Sequence, residues 1–273
     1  MTDYKDARGL PPGERFKFTR HQFYAAIGYQ QRVRLRLQEV DGYCRISAHD
    51  GSAFRISPAS WRWYKRGLTG RMHSLDRRYL FTVLDPPPGP VLDVGAHVGD
   101  FARLALKFGR VVYTIEPDPD ALACLKRNLA DQKFVTVIDA LLWNAEEELI
   151  FSLAGASADS SVFGADNIGS MTDTIRRHAT TLDRIAEDYG IDGLAFLKCD
   201  VEGAEPEMLE GSRELLRRTA RVAIDTGPER QGKKTTAACE ILLRDAGFAV
   251  HTRKRRPIVT YGSRGDDLPR IPE

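Results

Sequence analysis

The sequence predicts an α/β fold: a doubly wound, mainly parallel sheet with a small β-rich addition at its N-terminus. Three observations predict it. From Val91 onward, short apolar runs of strand length alternate with helix-periodic segments, the pattern of a parallel sheet with crossover helices. The first such unit, VLDVGAHVGDFARLALKFGRVVYTIEPD, reads as strand, glycine turn, helix and second strand, and closes on an acidic residue. Ahead of it, Arg32 to Val40 alternates strictly between apolar and basic residues, the signature of a strand with one wet face.

In chain order, Asp41-Gly42 and Asp50-Gly51 are hairpin signals flanking a second apolar run, so residues 31–57 are expected to form a three-stranded meander. So small a meander must pack on something, and the amphipathic segments around Trp61 to Arg66 and Arg71 to Leu84 are the nearest candidates. Pro86, Pro87, Pro88 and Gly89 make a stiff connector that a helix cannot cross, and a domain boundary is expected there, dividing residues 1–85 from 86–273. Beyond Glu116, Pro117 is expected to open a helix from Asp118 to Ala130. A third strand over Phe134 to Ile138 and a fourth over Glu148 to Leu153 follow. Residues 154–180 lack periodicity and read as a long surface loop, a lid or substrate-loop candidate. Thr181 then caps a short helix to Tyr189, Leu194 to Cys199 is an apolar strand, and Pro206 stands in the first turn of the next helix. Arg221 to Ile224 is another strand, a helix spans Thr235 to Ala246, and Phe248 to Thr252 with Ile258 to Tyr261 make a terminal hairpin.

Composition bounds the function. The net charge of +2 conceals an asymmetry, with 16 basic against 8 acidic residues over 1–90 and 24 against 30 over the rest. No apolar run is long enough to cross a membrane and the N-terminus is polar, so a cytoplasmic protein without a membrane partner is expected. No nucleic-acid motif appears, and no nucleic-acid partner is expected. Cys44, Cys124, Cys199 and Cys239 are scattered and read as small buried hydrophobes.

The glycine turn is DxGxxxG, formed by Asp93, Gly95 and Gly99, rather than the closely spaced GxGxxG that admits a pyrophosphate. A leading carboxylate would repel pyrophosphate but pair with an ammonium. S-adenosylmethionine has that ammonium, a ribose diol for Glu116 at the end of the second strand, and an adenine to lie near Asp139 or Ala140 at the end of the third. A second constellation, Lys198-Cys199-Asp200-Val201-Glu202-Gly203-Ala204-Glu205, ends a later strand. Three carboxylates so close together are costly unless a cation or a proton-transfer task holds them. No His/Asp ligand set accompanies them, so no metal is expected.

With VLDVGAHVGDF, YTIEPDP, the TTLD segment and FLKCDVEGAEPEMLEGS in view, the chain resembles the FkbM family of S-adenosylmethionine-dependent methyltransferases over roughly residues 80–250. The resemblance implies that Asp93, Gly95, Gly99 and Glu116 contact the cofactor, that Asp200 and Glu202 line the transfer site, and that the acceptor atom is oxygen. His97 departs from the asparagine typical of its position. Two readings stand for the acidic pair: Glu202 or Asp200 takes the acceptor's proton, or Glu202 holds the turn through backbone N–H groups while Asp200 fixes the cofactor's amino group. The expected activity is O-methylation of a small molecule or glycan. The alternatives are a nicotinamide-dependent oxidoreductase and a non-catalytic cofactor-binding sensor or scaffold.

Overall fold

The computed structural model describes residues 10, 12–40, 43–48, 53–153, 160–164, 173–265 and 271. Helix α1 (Pro12–Ala26) leads into strands β1 (Leu35–Val40), β2 (Tyr43–Ala48) and β3 (Ala53–Ile56), an antiparallel meander in that spatial order. The two Asp-Gly turns expected to join these strands lie outside the described residues. Leu37 stands opposite Ile46 and Ile46 opposite Phe54, one buried apolar row across all three strands, while Arg34 and Arg36 are exposed as the alternation predicts. The row packs toward a 3-10 segment (Pro58–Tyr64) and helix α2 (Gly67–Tyr79), which supply buried Tyr64 and Leu68 to the same core.

Strand β4 (Val91–Val94), helix α3 (Asp100–Lys107), strand β5 (Val112–Ile115), helix α4 (Pro119–Asn128) and strand β6 (Val135–Ile138) follow. Asp118 is the N-cap of α4, its carboxylate accepting from the N–H groups of Asp120 and Ala121 at 2.9 and 3.0 Å. The helix thus starts one residue later than expected, with Pro119 rather than Pro117 in its first turn. Strands β7 (Leu141–Leu142), β8 (Glu147–Leu153) and β9 (Asp173–Thr180) form a separate small sheet in the order β7-β9-β8. This corrects the surface-loop reading of residues 154–180 at its C-terminal end. Residues 173–179 pair antiparallel with β8 along its whole length, and Ala179 is fully buried between β7 and β8. The chain continues through helix α5 (Leu182–Tyr189), strand β10 (Leu194–Cys199), helices α6 (Glu205–Glu210) and α7 (Arg213–Arg217), strand β11 (Thr219–Asp225), helix α8 (Thr236–Asp245), and strands β12 (Ala249–Arg253) and β13 (Val259–Ser263).

The main sheet has the order β6-β5-β4-β10-β11-β13-β12. It is parallel except for β13, which runs antiparallel to both its neighbours. Chain order reverses between β4 and β10, and at such a switch point the carboxyl ends of adjacent strands open a crevice. One face of the sheet shares a continuous core with the N-terminal segment: Phe81 sets its ring against Phe101 and Phe196 at 5.8 and 5.1 Å between centroids. The other face is covered by α5 to α8. The meander also leans on α4. Asn128 gives its amide N–H to the carbonyls of Arg55 and Val98 and accepts from the Arg55 N–H, closing the free edge of β3. Cys124, Cys199 and Cys239 are buried free thiols, as read from the sequence. Among the described residues no helix is long and apolar enough to cross a membrane.

Candidate active site

A cavity of about 710 Å³ opens at the switch point. Its floor is the turn after β4. Gly95 there has φ +68°, and a Cβ on it would lie 1.8 Å from the Asp200 carbonyl oxygen, so glycine is what lets the ends of β4 and β10 close together. His97 is also left-handed, at φ +50°, a conformation in which asparagine, aspartate and histidine are the favoured non-glycine residues. The departure from asparagine therefore conserves the backbone shape, and the imidazole meets Trp63 edge-on at 5.4 Å on the cavity wall. Gly99 does not line the cavity. It begins α3 at φ +94°, where a Cβ would press within 2.8 Å of Leu125, so its role is packing between helices.

Asp93, expected from the sequence to contact the cofactor, does not line the cavity. It is wholly buried beneath the turn rather than facing the cavity, ion-paired with Lys198 at 3.0 Å and accepting from the Ala102 N–H at 3.1 Å. Lys198 also donates to the carbonyls of Val94 and Gly95 at 3.1 and 2.6 Å. Burial disfavours its charge, but Asp93 and Asp200 outweigh that and raise its pKa. The ammonium that Asp93 was expected to meet is supplied from within the chain, and the pair clamps the glycine turn.

Glu116 does line the cavity. Its two oxygens each accept one backbone N–H, from His97 at 2.6 Å and from Asp118 at 2.9 Å, leaving a further lone pair on each. Burial pushes its pKa up to about 7 against the lowering effect of those N–H groups. Asp139 is absent from the cavity wall: it is exposed, and Arg177 of β9 holds its carboxylate. The wall at this end is apolar, made by Ile115, Ala140, Leu141, Leu142 and Phe151.

The other end is acidic. Asp200 accepts a hydrogen bond from the buried Tyr79 hydroxyl at 2.6 Å and lies 3.5 Å from the Arg78 guanidinium. Burial would raise its pKa, yet Arg78 and Lys198 together hold it below the ordinary carboxylate value. Its second oxygen is buried without a hydrogen-bond partner. Glu202 lines the cavity two residues later in a left-handed conformation, φ +52°. Glu205 holds this turn, its carboxylate accepting from the N–H groups of Val201 and Gly203 at 3.3 and 3.0 Å and from the Thr235 hydroxyl at 2.8 Å.

Two residues were not legible beforehand. Glu229 lies on the loop after β11 and lines the same cavity; burial, then Asp200, Glu202 and Asp225, push its carboxyl up to about 11, and its Oε2 is buried without a partner. Arg78, from α2, bonds to Asp225 and faces Asp200, joining the N-terminal segment to the site. Asp225 itself closes its own turn by accepting from the Gly227 N–H at 3.0 Å and does not line the cavity. Asp200, Asp225 and Glu229 bring carboxylate oxygens within 4.8 Å of one another, with the Arg78 cation bonded into the cluster. Ser160 and Ser161 lie against the site: their hydroxyls donate to Asp118 at 2.7 Å and to the Glu202 carbonyl at 2.8 Å.

A mainly parallel, doubly wound sheet with a glycine turn and carboxylates around one cavity at the switch point defines a Rossmann-like α/β domain. The family model described as the methyltransferase FkbM domain matches residues 93–250, and the chain belongs to that family. S-adenosylmethionine is the cofactor of this domain, and the family match does not favour the nicotinamide alternative. A curated relative, "2-O-methyltransferase NoeI" of Sinorhizobium fredii, is 23% identical over 159 residues. The match covers 52% of this chain and 65% of the relative, so the chain spans less than two thirds of that protein's length. Among solved structures, a precorrin-6y C5,15-methyltransferase from Geobacter metallireducens is similar with a TM-score of 0.42 at 13% identity, covering 69% of this chain and 87% of that one. Magnesium protoporphyrin IX methyltransferase from Synechocystis, with bound SAM, is similar with a TM-score of 0.41 at 14% identity, covering 72% and 82%.

Proposed function

We propose that the protein is an S-adenosylmethionine-dependent O-methyltransferase acting on a hydroxyl of a small molecule or glycan. The observation that carries this reading is that one cavity holds Glu116 at one end and the Asp200–Glu202 pair at the other. The cavity suits the cofactor by the groups it offers: free lone pairs on Glu116 for two ribose hydroxyls and an apolar wall at Leu141, Leu142 and Phe151 for a purine, while the orphaned buried oxygen of Asp200 is left for the acceptor. When bound, S-adenosylmethionine supplies an electrophilic methyl group and its own neutral leaving group. The chain then has to align the acceptor and receive its proton, the first of these being worth several orders of magnitude in rate. Asp200, fixed by Tyr79 and held ionised by Arg78, orients the acceptor hydroxyl. Glu202 accepts the proton on its carboxylate as the oxygen–carbon bond forms. The relative from Sinorhizobium fredii, by its printed name a 2-O-methyltransferase, supports oxygen as the acceptor atom.

The division at residues 85 and 86 belongs to the same proposal, with residues 1–85 acting as the acceptor-side wall; Trp63, Arg71, Arg78 and Tyr79 all reach the cavity from that side. A cytoplasmic location belongs to the same proposal, and Cys124, Cys199 and Cys239, free thiols among the described residues, suit a reducing compartment. S-adenosylhomocysteine, but not NAD, should raise the melting temperature, and no response to either would sink the cofactor assignment. Transfer of a radiolabelled methyl group to a panel of hydroxylated metabolites and sugars then tests the acceptor class. On any substrate found, Glu202→Gln should abolish turnover while sparing cofactor binding, and near-normal turnover would remove Glu202 from the role of base.

A further inference from the structure

Away from the cofactor cavity, α1 turns Lys17, Arg20, His21 and Tyr24 onto the 3-10 segments Tyr29–Gln31 and Pro58–Tyr64, enclosing a recess of about 400 Å³. Those four positions form a single helical stripe at i, i+3, i+4 and i+7, the spacing that ordinarily packs into a core. Here two of them are cations, and Arg32, Arg62 and Lys65 join them around the recess.

Counter-charge is scarce among the described residues. Among the described residues Glu14 is the carboxylate bonded to this group, taking Lys17 and the Arg62 Nε at 2.9 Å each. Arg20 has no carboxylate partner among the described residues. Arg32 and Lys65 meet aromatic rings instead: Arg32 lies 5.1 and 5.8 Å from the Tyr24 and Tyr29 ring centres, and Lys65 lies 5.7 Å from that of Trp61. The Lys65 ammonium is pushed below its ordinary value by burial and then by Arg32, Arg62 and Arg20. His21 lies in the recess floor between the rings of Phe18 and Trp61. Its Nε2 donates to the Val33 carbonyl at 3.0 Å, since a carbonyl can only accept, and its Nδ1 is left without a partner. Burial, with Arg32 and Lys65 nearby, lowers its pKa to about 4.

Cations held together with so little opposing charge repel one another, and a recess of this size is at the lower end of those that take small ligands. The groups converge on one depression rather than tracking along a stripe, which suits a compact ligand better than a nucleic-acid backbone. We propose that this recess binds a small multivalent oxyanion, held by the arginine forks of Arg20 and Arg32 with the Lys65 ammonium. Its anionic groups are of the phosphate or carboxylate kind. The site is separate from the cofactor cavity, although the segment Pro58–Tyr64 sends Trp63 to that cavity and Trp61 to this one.

The test is titration of the full chain with pyrophosphate, and in parallel with citrate, against sodium chloride at matched ionic strength. Calorimetry gives the affinity and the His21 ring resonances report on the recess floor. Saturable one-site binding is expected, with an upward shift of the His21 pKa as the anion offsets Arg32 and Lys65. The Arg20→Ala/Arg32→Ala variant should bind at least tenfold more weakly while keeping its stabilisation by S-adenosylhomocysteine, which also shows that it folds. Tighter binding of pyrophosphate than of citrate would assign the ligand to the phosphates, and the reverse order to the polycarboxylates. The proposal is overturned if sodium chloride reproduces the response, if the double variant binds as the parent does, if S-adenosylhomocysteine displaces the anion, or if a single-stranded oligonucleotide binds the recess more tightly than either small anion.

Discussion

Glu116 and Asp200 are both buried carboxylates on the same cavity, and their surroundings drive them in opposite directions. Glu116 receives two N–H groups but, among the described residues, no cation bonds to it, and burial takes its pKa to about 7. In the ribose-binding role proposed for Glu116, protonation removes lone pairs offered to the two hydroxyls, so cofactor affinity should rise with pH through neutrality. A group with pKa near 7 is roughly 10% ionised at pH 6 and 90% at pH 8, so S-adenosylhomocysteine should bind up to about ninefold more tightly at the higher pH by calorimetry. Glu116→Gln should remove that dependence, and Glu116→Ala should weaken binding at least several-fold at pH 8. Asp200 is held ionised by Arg78 and Lys198, whereas Glu229, pushed up to about 11, is neutral at pH 7. Glutamine mimics a neutral carboxyl. Turnover should therefore survive Glu229→Gln but fall by about a hundredfold or more in Asp200→Asn, and equal losses in the two variants would contradict this division of protonation states. Asp200 was visible in sequence as part of an acidic run. Glu229 was not, because nothing in its local sequence places it opposite a residue 29 positions earlier.

At the scale of elements, the turn after β4 is held by contacts with β10. Gly95 accommodates the Asp200 carbonyl, and Lys198 clamps the turn's own carbonyls. Gly95→Ala combines a left-handed φ with an overlap against backbone, and should cost about 3 kcal/mol or more of stability in urea unfolding. Gly109 has nearly the same φ, +69°, but nothing within 4 Å of its missing Cβ, so Gly109→Ala should cost only about 1–2 kcal/mol. If the two were equally destabilising, the close approach at Gly95 would not be what matters. The strand and helix alternation of the main sheet was legible because each strand is a short apolar run closed by a turn signal. Strand β9 was not: its residues DTIRRHAT carry polar and charged side chains on an exposed ribbon, and only pairing with β8 makes them a strand.

Across the whole molecule, the N-terminal segment and the main sheet share one buried cluster, so the proline connector marks a change of architecture without separating two cores. Phe81 stands where they meet, its ring against Phe101, Phe108 and Phe196. Phe81→Ala should lower stability by about 3–5 kcal/mol, and in a single unfolding transition recorded alike by tryptophan fluorescence, which samples Trp61 and Trp63 in the N-terminal segment together with Trp143 beyond the connector, and by far-ultraviolet dichroism. Two separate transitions would show that the segments unfold independently. The sequence by itself determined the fold class, the glycine turn, Glu116 and the acidic strand end after β10, because these depend on local periodicity and on residue types within a few positions of one another. Tertiary structure alone decided that Asp93 is ion-paired with Lys198, that Asp139 turns away to Arg177, and that Arg78, Tyr79 and Glu229 complete the acidic end. The reason is physical: a buried charge takes whichever partner the fold brings within hydrogen-bond reach, and those partners stand 29 to 122 residues away along the chain.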